Sequence, residues 1–192
     1  MKRIRSVVVV GLVAVLFAGC SLVPTADSPI VINRKPFPYG LLGKSIPGTL
    51  NGHVRFITQP VFIVDATGHL TPSSRIVPSP PNLDSVLSEL VLGPTNIETF
   101  TGYTSALPKN LVILQATIQN DVGFVALADP LSSLPRSQQI LAIGQLVYTA
   151  HGVGALNGLE ILVAGVAQSL LKPNGEKALR VSEHDYRSLL NS

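Results

Sequence analysis

Between residues 83 and 91 the apolar positions recur at helical spacing. Leu83, Val86, Leu87, Leu90 and Val91 fall at i, i+3, i+4, i+7 and i+8, which lays a single apolar stripe along an α-helix. Asn82 is placed to cap its start, Asp84 puts a negative charge in its first turn, and Gly93-Pro94 ends it. Thr95 and Glu98 then have the spacing of a capping box, predicting a second short helical turn ahead of Gly102. Farther along, Ile140, Leu141, Gly144, Val147 and Tyr148 make the buried face of a longer helix, with Pro135 near its first turn and Gly152 and Gly154 closing it. A glycine on that face predicts a close approach to a strand or to the first helix.

Other stretches carry the shorter period of strands. Residues 54–58 alternate and Val61-Phe62-Ile63-Val64 is a compact apolar run, read together as a first strand pair. Asp65-Ala66-Thr67-Gly68 supplies turn chemistry, and Arg75-Ile76-Val77 returns along the sheet. Val112, Leu114, Ala116 and Ile118 face Val122, Phe124 or Val125, and Leu127 across a tight Asn120-Asp121 turn. Leu159 to Val163 is a third strand region, Ala164-Gly165 and Pro173-Asn174-Gly175 turn the chain again, and Tyr186 to Leu190 is a closing helical turn. Strands, helix, strands, helix, strands is the order of an α+β fold: a mostly antiparallel sheet with two main helices packed on one face.

The N-terminus follows a different logic. Lys2, Arg3 and Arg5 precede an apolar run from Val7 to Phe17, and Ala18-Gly19 leads into Cys20. This is the pattern of a secretory signal peptide, and the run is too short for a spanning helix, which needs about 20 residues. Phe17-Ala18-Gly19-Cys20 resembles the lipobox of bacterial lipoproteins, with Phe17 where Leu is commonest. The resemblance implies a signal peptide over 1–19 and a diacylglyceryl group on Cys20, holding the protein to the outer face of the cell membrane. Residues 20–52, punctuated by Pro24, Pro29, Pro36, Pro38 and Pro47, read as a tether, with apolar pieces at 30–32 and 37–42 able to dock on the domain or on a partner. The folded domain is then 53–192.

Composition narrows the chemistry. Cys20 is the only cysteine, so once acylated it leaves no disulfide, thiol nucleophile or cysteine metal ligand. Three of the 14 lysines and arginines belong to the leader, so 11 basic residues oppose 11 acidic ones in the remainder, which offers a nucleic acid no basic face. His53, His69, His151 and His184 lack metal-ligand spacing. A nucleophile elbow, a phosphate loop and a dinucleotide fingerprint are missing from the sequence. The expectation is a non-enzymatic chain without cofactor or metal.

One stretch carries a family resemblance. Gly93-Pro94-Thr95, then Glu98, then Gly102-Tyr103-Thr104-Ser105-Ala106-Leu107-Pro108 resembles the central motif of the GerMN domain, found in bacterial sporulation and germination proteins and in many envelope lipoproteins. Val61 to Leu70, Gln139 to Thr149, Leu159 to Gly165, and Asp185-Tyr186 with Ser188-Leu189 are similar to other parts of that domain, so the resemblance runs from about His53 to Leu190. Ala126 departs from it, standing where an acidic residue is common. The resemblance implies no enzymatic activity and a role in binding or assembly at the cell envelope, in sporulation, germination or envelope signalling. The partner would be an envelope protein or a wall component. Alternatives are a self-assembling ring or oligomer and, less favoured, a wall-glycan enzyme. Thr95, Glu98, Gly102, Tyr103 and Ser105 are candidates for a partner-binding loop, against the blander reading that they cap and shape a structural loop.

Overall fold

Phe56–Val64 forms one continuous strand, β1, and pairs antiparallel with β2 (Leu70–Pro78) along its whole length. The computed structural model describes residues 54–191; the expected leader 1–19, Cys20, the tether 20–52 and His53 lie outside the described residues. The first strand pair expected within 54–64 is thus a single strand, and its partner is the longer return strand. Pro60 sits mid-strand without a broken ladder. Asp65 N–H bonds the His69 carbonyl at 2.8 Å, so by alternation the even positions of β1 turn their backbone groups away from β2, where a missing N–H removes no ladder bond.

A second sheet runs in the order β3 (Ile113–Gln119), β4 (Val122–Leu127), β5 (Leu159–Val163), β6 (Val166–Ala167), with β9 (Arg180–Val181) also pairing β5. β3 and β4 are joined by Asn120 and Asp121 at φ 51° and 61°, the paired positive angles of a two-residue hairpin turn. β4 and β5 are parallel, as they must be when a long helix carries the chain back between them. The remaining pairings are antiparallel, including a small ribbon of β7 (Leu170–Leu171) and β8 (Lys177–Ala178). The fold class is α+β as expected; the strands divide between sheets.

Among the described residues three α-helices complete it: α1 (Leu83–Leu92), α2 (Asn96–Phe100) and α3 (Arg136–His151). Asn82 caps α1 through Ser85, whose hydroxyl returns the bond, and Leu83, Val86, Leu87 and Leu90 are buried. α3 is buried on every side from Ala142 to Ala150, more than the predicted stripe, because it packs against β1, α1 and the closing 3₁₀ segment Glu183–Leu189. A Cβ at Gly144 would lie 2.9 Å from both Leu70 and Leu189 Cδ1, so the expected close approach is to β2 and the closing turn. Tyr186 of that turn is fully buried, and its hydroxyl donates to the Leu171 carbonyl at 2.7 Å.

Candidate functional site

The stretch from Gly93 to Pro108 begins where α1 stops and wraps across three elements. Thr95 caps α2, accepting from Glu98 N–H at 3.3 Å, while Glu98 Oε2 accepts from Thr95 N–H at 2.6 Å. The capping box expected from the spacing is present. Its acid has further partners. Arg75 Nη2 donates to Glu98 Oε2 at 2.8 Å and Nη1 to Oε1 at 3.1 Å, and the Ser73 hydroxyl donates to Oε1 as well. Arg75 also reaches the Gly93 carbonyl at the end of α1, at 3.2 Å, and is itself buried. One carboxylate therefore caps the start of α2 and anchors β2, and its partner Arg75 holds the end of α1.

Burial alone would raise the Glu98 pKa. The Arg75 guanidinium, the Ser73 hydroxyl and the Thr95 N–H outweigh it and bring the value from 4.5 down to about 2.

Gly102 follows at φ 91°, and a Cβ there would stand 3.0 Å from that of Ala66 in the β1–β2 turn. Only glycine combines that angle with so close an approach. Tyr103 packs partly buried against the core. Thr104 exchanges backbone bonds with Val64, at 2.7 and 2.9 Å. The Ser105 hydroxyl donates to Gln145 Oε1 and accepts from Leu107 N–H. Gln145, fully buried on α3, accepts from Ala106 N–H at 2.7 Å and donates to the Phe62 carbonyl of β1 at 2.8 Å. Thr149, one turn on, accepts from Phe62 N–H at 3.0 Å.

The five residues singled out from the sequence thus fall in one clamp, and the polar groups of Thr95, Glu98 and Ser105 bond within the domain. Among its exposed residues, besides Thr95, Asn96, Thr99, Thr101 and Thr104, two are large and apolar, Ile97 at 78% and Phe100 at 92%, and Leu92 at the end of α1 is 78% exposed beside them in sequence. Sequence reasoning passed over those three, and also Arg75, Ser73 and Gln145. A signal existed for two of them. Arg75 is the one charge in Leu70–Pro78, and Gln145 interrupts an apolar helix face.

The described histidines stay apart. His69 Nδ1 meets the Thr67 hydroxyl, His151 pairs with Glu183 at 3.2 Å, and His184 is exposed. His151, which its helix end alone could explain, has a carboxylate partner besides. Among the described residues no His, Cys, Asp and Glu group is placed to hold a metal ion, and no helix is long and apolar enough to cross a membrane.

Comparison of folds finds two GerMN structures from Bacillus subtilis. The tandem GerMN domains of the sporulation protein GerM match with a TM-score of 0.53 at 11% identity, over 68% of this chain and 48% of that one. The first GerMN domain of the same protein matches with a TM-score of 0.51 at 12% identity, over 67% of this chain and 99% of that one. The chain thus spans about half of the tandem structure and nearly all of the single domain. At such identities the likeness is one of fold. A search of curated proteins finds no match. The sequence profile of the Germane family, described as sporulation and spore germination, matches residues 60–169, which is more than half of the chain and contains the whole clamp from Gly93 to Pro108. The chain belongs to the Germane family.

Proposed function

We propose that this chain is an envelope lipoprotein, anchored outside the cell membrane through Cys20, whose Germane domain is a non-enzymatic binding or scaffolding module in sporulation, germination or envelope signalling. The observation that carries the binding role is the 92% exposure of Phe100, with Ile97 and Leu92 close by in sequence. Ile97 and Phe100 belong to a clamp in which Thr95, Glu98 and Ser105 bond within the domain. A large aromatic held in water by a well-bonded scaffold is a common anchor of protein interfaces. The loop expected to bind a partner therefore does so through Ile97 and Phe100, while Thr95, Glu98, Gly102, Tyr103 and Ser105 hold those two in place. The lipobox-like Phe17-Ala18-Gly19-Cys20 supports the anchor.

The test joins both parts in whole cells. Membrane fractionation of the native chain and Cys20→Ala should find the first with membranes and the second released. A photo-crosslinking residue at position 100 should capture one envelope protein from the anchored form, and a crosslinker at the exposed Asn174 should not. Retention of Cys20→Ala in membranes overturns the anchor. Equal capture from positions 100 and 174 overturns the binding corner.

A further inference from the structure

Side chains alternate across the β1–β2 hairpin. Val61, Ile63, Arg75 and Val77 point into the domain and are buried, so the even positions face the other way. Near the turn at 65–68 that outer face is covered: Gly144 of α3 closes on Leu70, and the Phe62 ring lies 5.1 Å from that of Tyr148. Toward the open end it is bare. Phe56 is 61% exposed, Ile76 69%, and Val54, just before the strand, 63%. Pro78 is exposed and lies directly opposite Phe56. Ile76 lies opposite Thr58, one diagonal step from the phenyl ring.

Thr58 and Ser74 are the only polar side chains at the outward positions of the two strands, and neither strand contains an acid. Arg55 stands exposed at the rim, with no ion pair among the described residues. An uncovered apolar patch marks contact with a protein or with a membrane. Place and chemistry both decide for the membrane. Val54 is the first described residue, so the chain from Cys20 joins the domain at the patch itself. A surface at the attachment point of a tether meets whatever holds the tether at high effective concentration, so a weak contact suffices. Aromatic and aliphatic side chains beside a cation, with no acid among them, suit a headgroup layer: the apolar groups enter the acyl boundary and the cation meets anionic lipid.

We propose that this end of the hairpin rests on the membrane surface, with Val54, Phe56 and Ile76 at the headgroup–acyl boundary and Arg55 on an anionic headgroup. This rests on the reading of the chain as a lipoprotein anchored through Cys20. It also orients the domain. Arg75, next to Ile76 but pointing inward, holds Glu98 and with it the cap of α2. The corner of Ile97 and Phe100 therefore belongs to the other side of the hairpin, away from the lipid and free for its partner.

The experiment uses the acylated full-length chain, whose only cysteine is then blocked. Thr58→Cys, between Phe56 and Ile76, takes a nitrobenzoxadiazole fluorophore, and the chain is reconstituted into phosphatidylcholine–phosphatidylglycerol liposomes carrying nitroxide on their acyl chains. Asn174→Cys is the control, because it lies toward the opposite end of α3: Gly175 adjoins Arg136, the first residue of that helix, whereas Gly152, just past its last, adjoins Pro60. Quenching at 58 should exceed that at 174 at least about threefold. Phe56→Ser with Ile76→Ser should abolish the difference at unchanged melting temperature, since both side chains stand mostly in water. On liposomes of phosphatidylcholine alone the resting state should be populated roughly fivefold less, and Arg55→Gln should erase that lipid preference. If the double serine variant unfolds, Arg55→Gln decides.

Equal quenching at 58 and 174, quenching unmoved by the serine variant, or a lipid preference unmoved by Arg55→Gln overturns the proposal and leaves the anchor standing. Shielding of position 58 from iodide in native membranes, without quenching in liposomes, overturns the lipid contact in favour of a protein on this face. A label taken up by Cys20 in the chain purified from its own membranes overturns the anchor, and the proposal with it.

Discussion

Arg75 holds Glu98 with both terminal nitrogens, at 2.8 and 3.1 Å, across 23 residues of chain. The pair ties β2 to the cap of α2, and Arg75 adds a bond to the last turn of α1. The pair is partly buried, so removing one partner leaves the other charge short of both its ion partner and full solvation, at more cost than the net worth of the pair itself.

The first prediction is a pH dependence. The folded Glu98 pKa, about 2, lies below its ordinary 4.5. A carboxylate so depressed adds stability that is complete above the ordinary value and is lost as the pH falls through the folded one. Urea unfolding should therefore show a loss of roughly 3 kcal/mol between about pH 5 and pH 2 from this group. Glu98→Gln should cost about 1–3 kcal/mol at pH 7, less than a fully buried pair because water screens part of it, and remove that part of the acid dependence. An unchanged acid slope in Glu98→Gln would remove the pair from this role.

Gln145 is the second. Its amide satisfies the Phe62 carbonyl and the Ala106 N–H inside the domain. Gln145→Leu fills similar space and leaves both groups unpaired, at a cost of about 2–4 kcal/mol in denaturant unfolding. The Ala106 amide should exchange faster in the variant, relative to global unfolding, because its acceptor is gone.

Two glycines should respond differently to the same methyl group. At Gly144 the new Cβ meets the ends of Leu70 and Leu189, which can move, and alanine favours the helix. At Gly158 it meets the Val181 carbonyl oxygen at 2.6 Å, at φ 108°. Gly158→Ala should cost at least about 3 kcal/mol and Gly144→Ala no more than about 2, compared by thermal melting. The reverse order would mean that β9 can shift away from β5.

Phe100 should behave as a surface residue in every test of folding. Phe100→Ala should leave stability within about 0.5 kcal/mol while lowering partner capture at the corner. A large loss of stability would place the ring in the fold and take it out of the interface.

The local devices were legible because they are written within a few residues of one another. The Asn82 cap, the Thr95–Glu98 box, the Asn120-Asp121 turn and the Ala164-Gly165 turn each depend on neighbours in sequence. The stripe of α1 and the class of fold were legible too, since periodicity records which face is buried. The candidate loop is one continuous segment, so its motif residues are legible without their partners.

Those partners came only with the tertiary structure. Arg75 is 23 residues from Glu98, and Gln145 is 83 from Phe62; no pattern along the chain says that such residues meet. The joining of 54–58 to 61–64 as one strand likewise depended on Pro60 facing away from β2, which needs the register of the pair. Exposure at Ile97 and Phe100 is a property of what the other elements leave uncovered. Sequence by itself determined the local elements and their buried faces, because turn, cap and period are short-range. The closed chain decided which polar groups are spent inside and which surfaces remain to bind, because burial and pairing are set by contacts between distant segments.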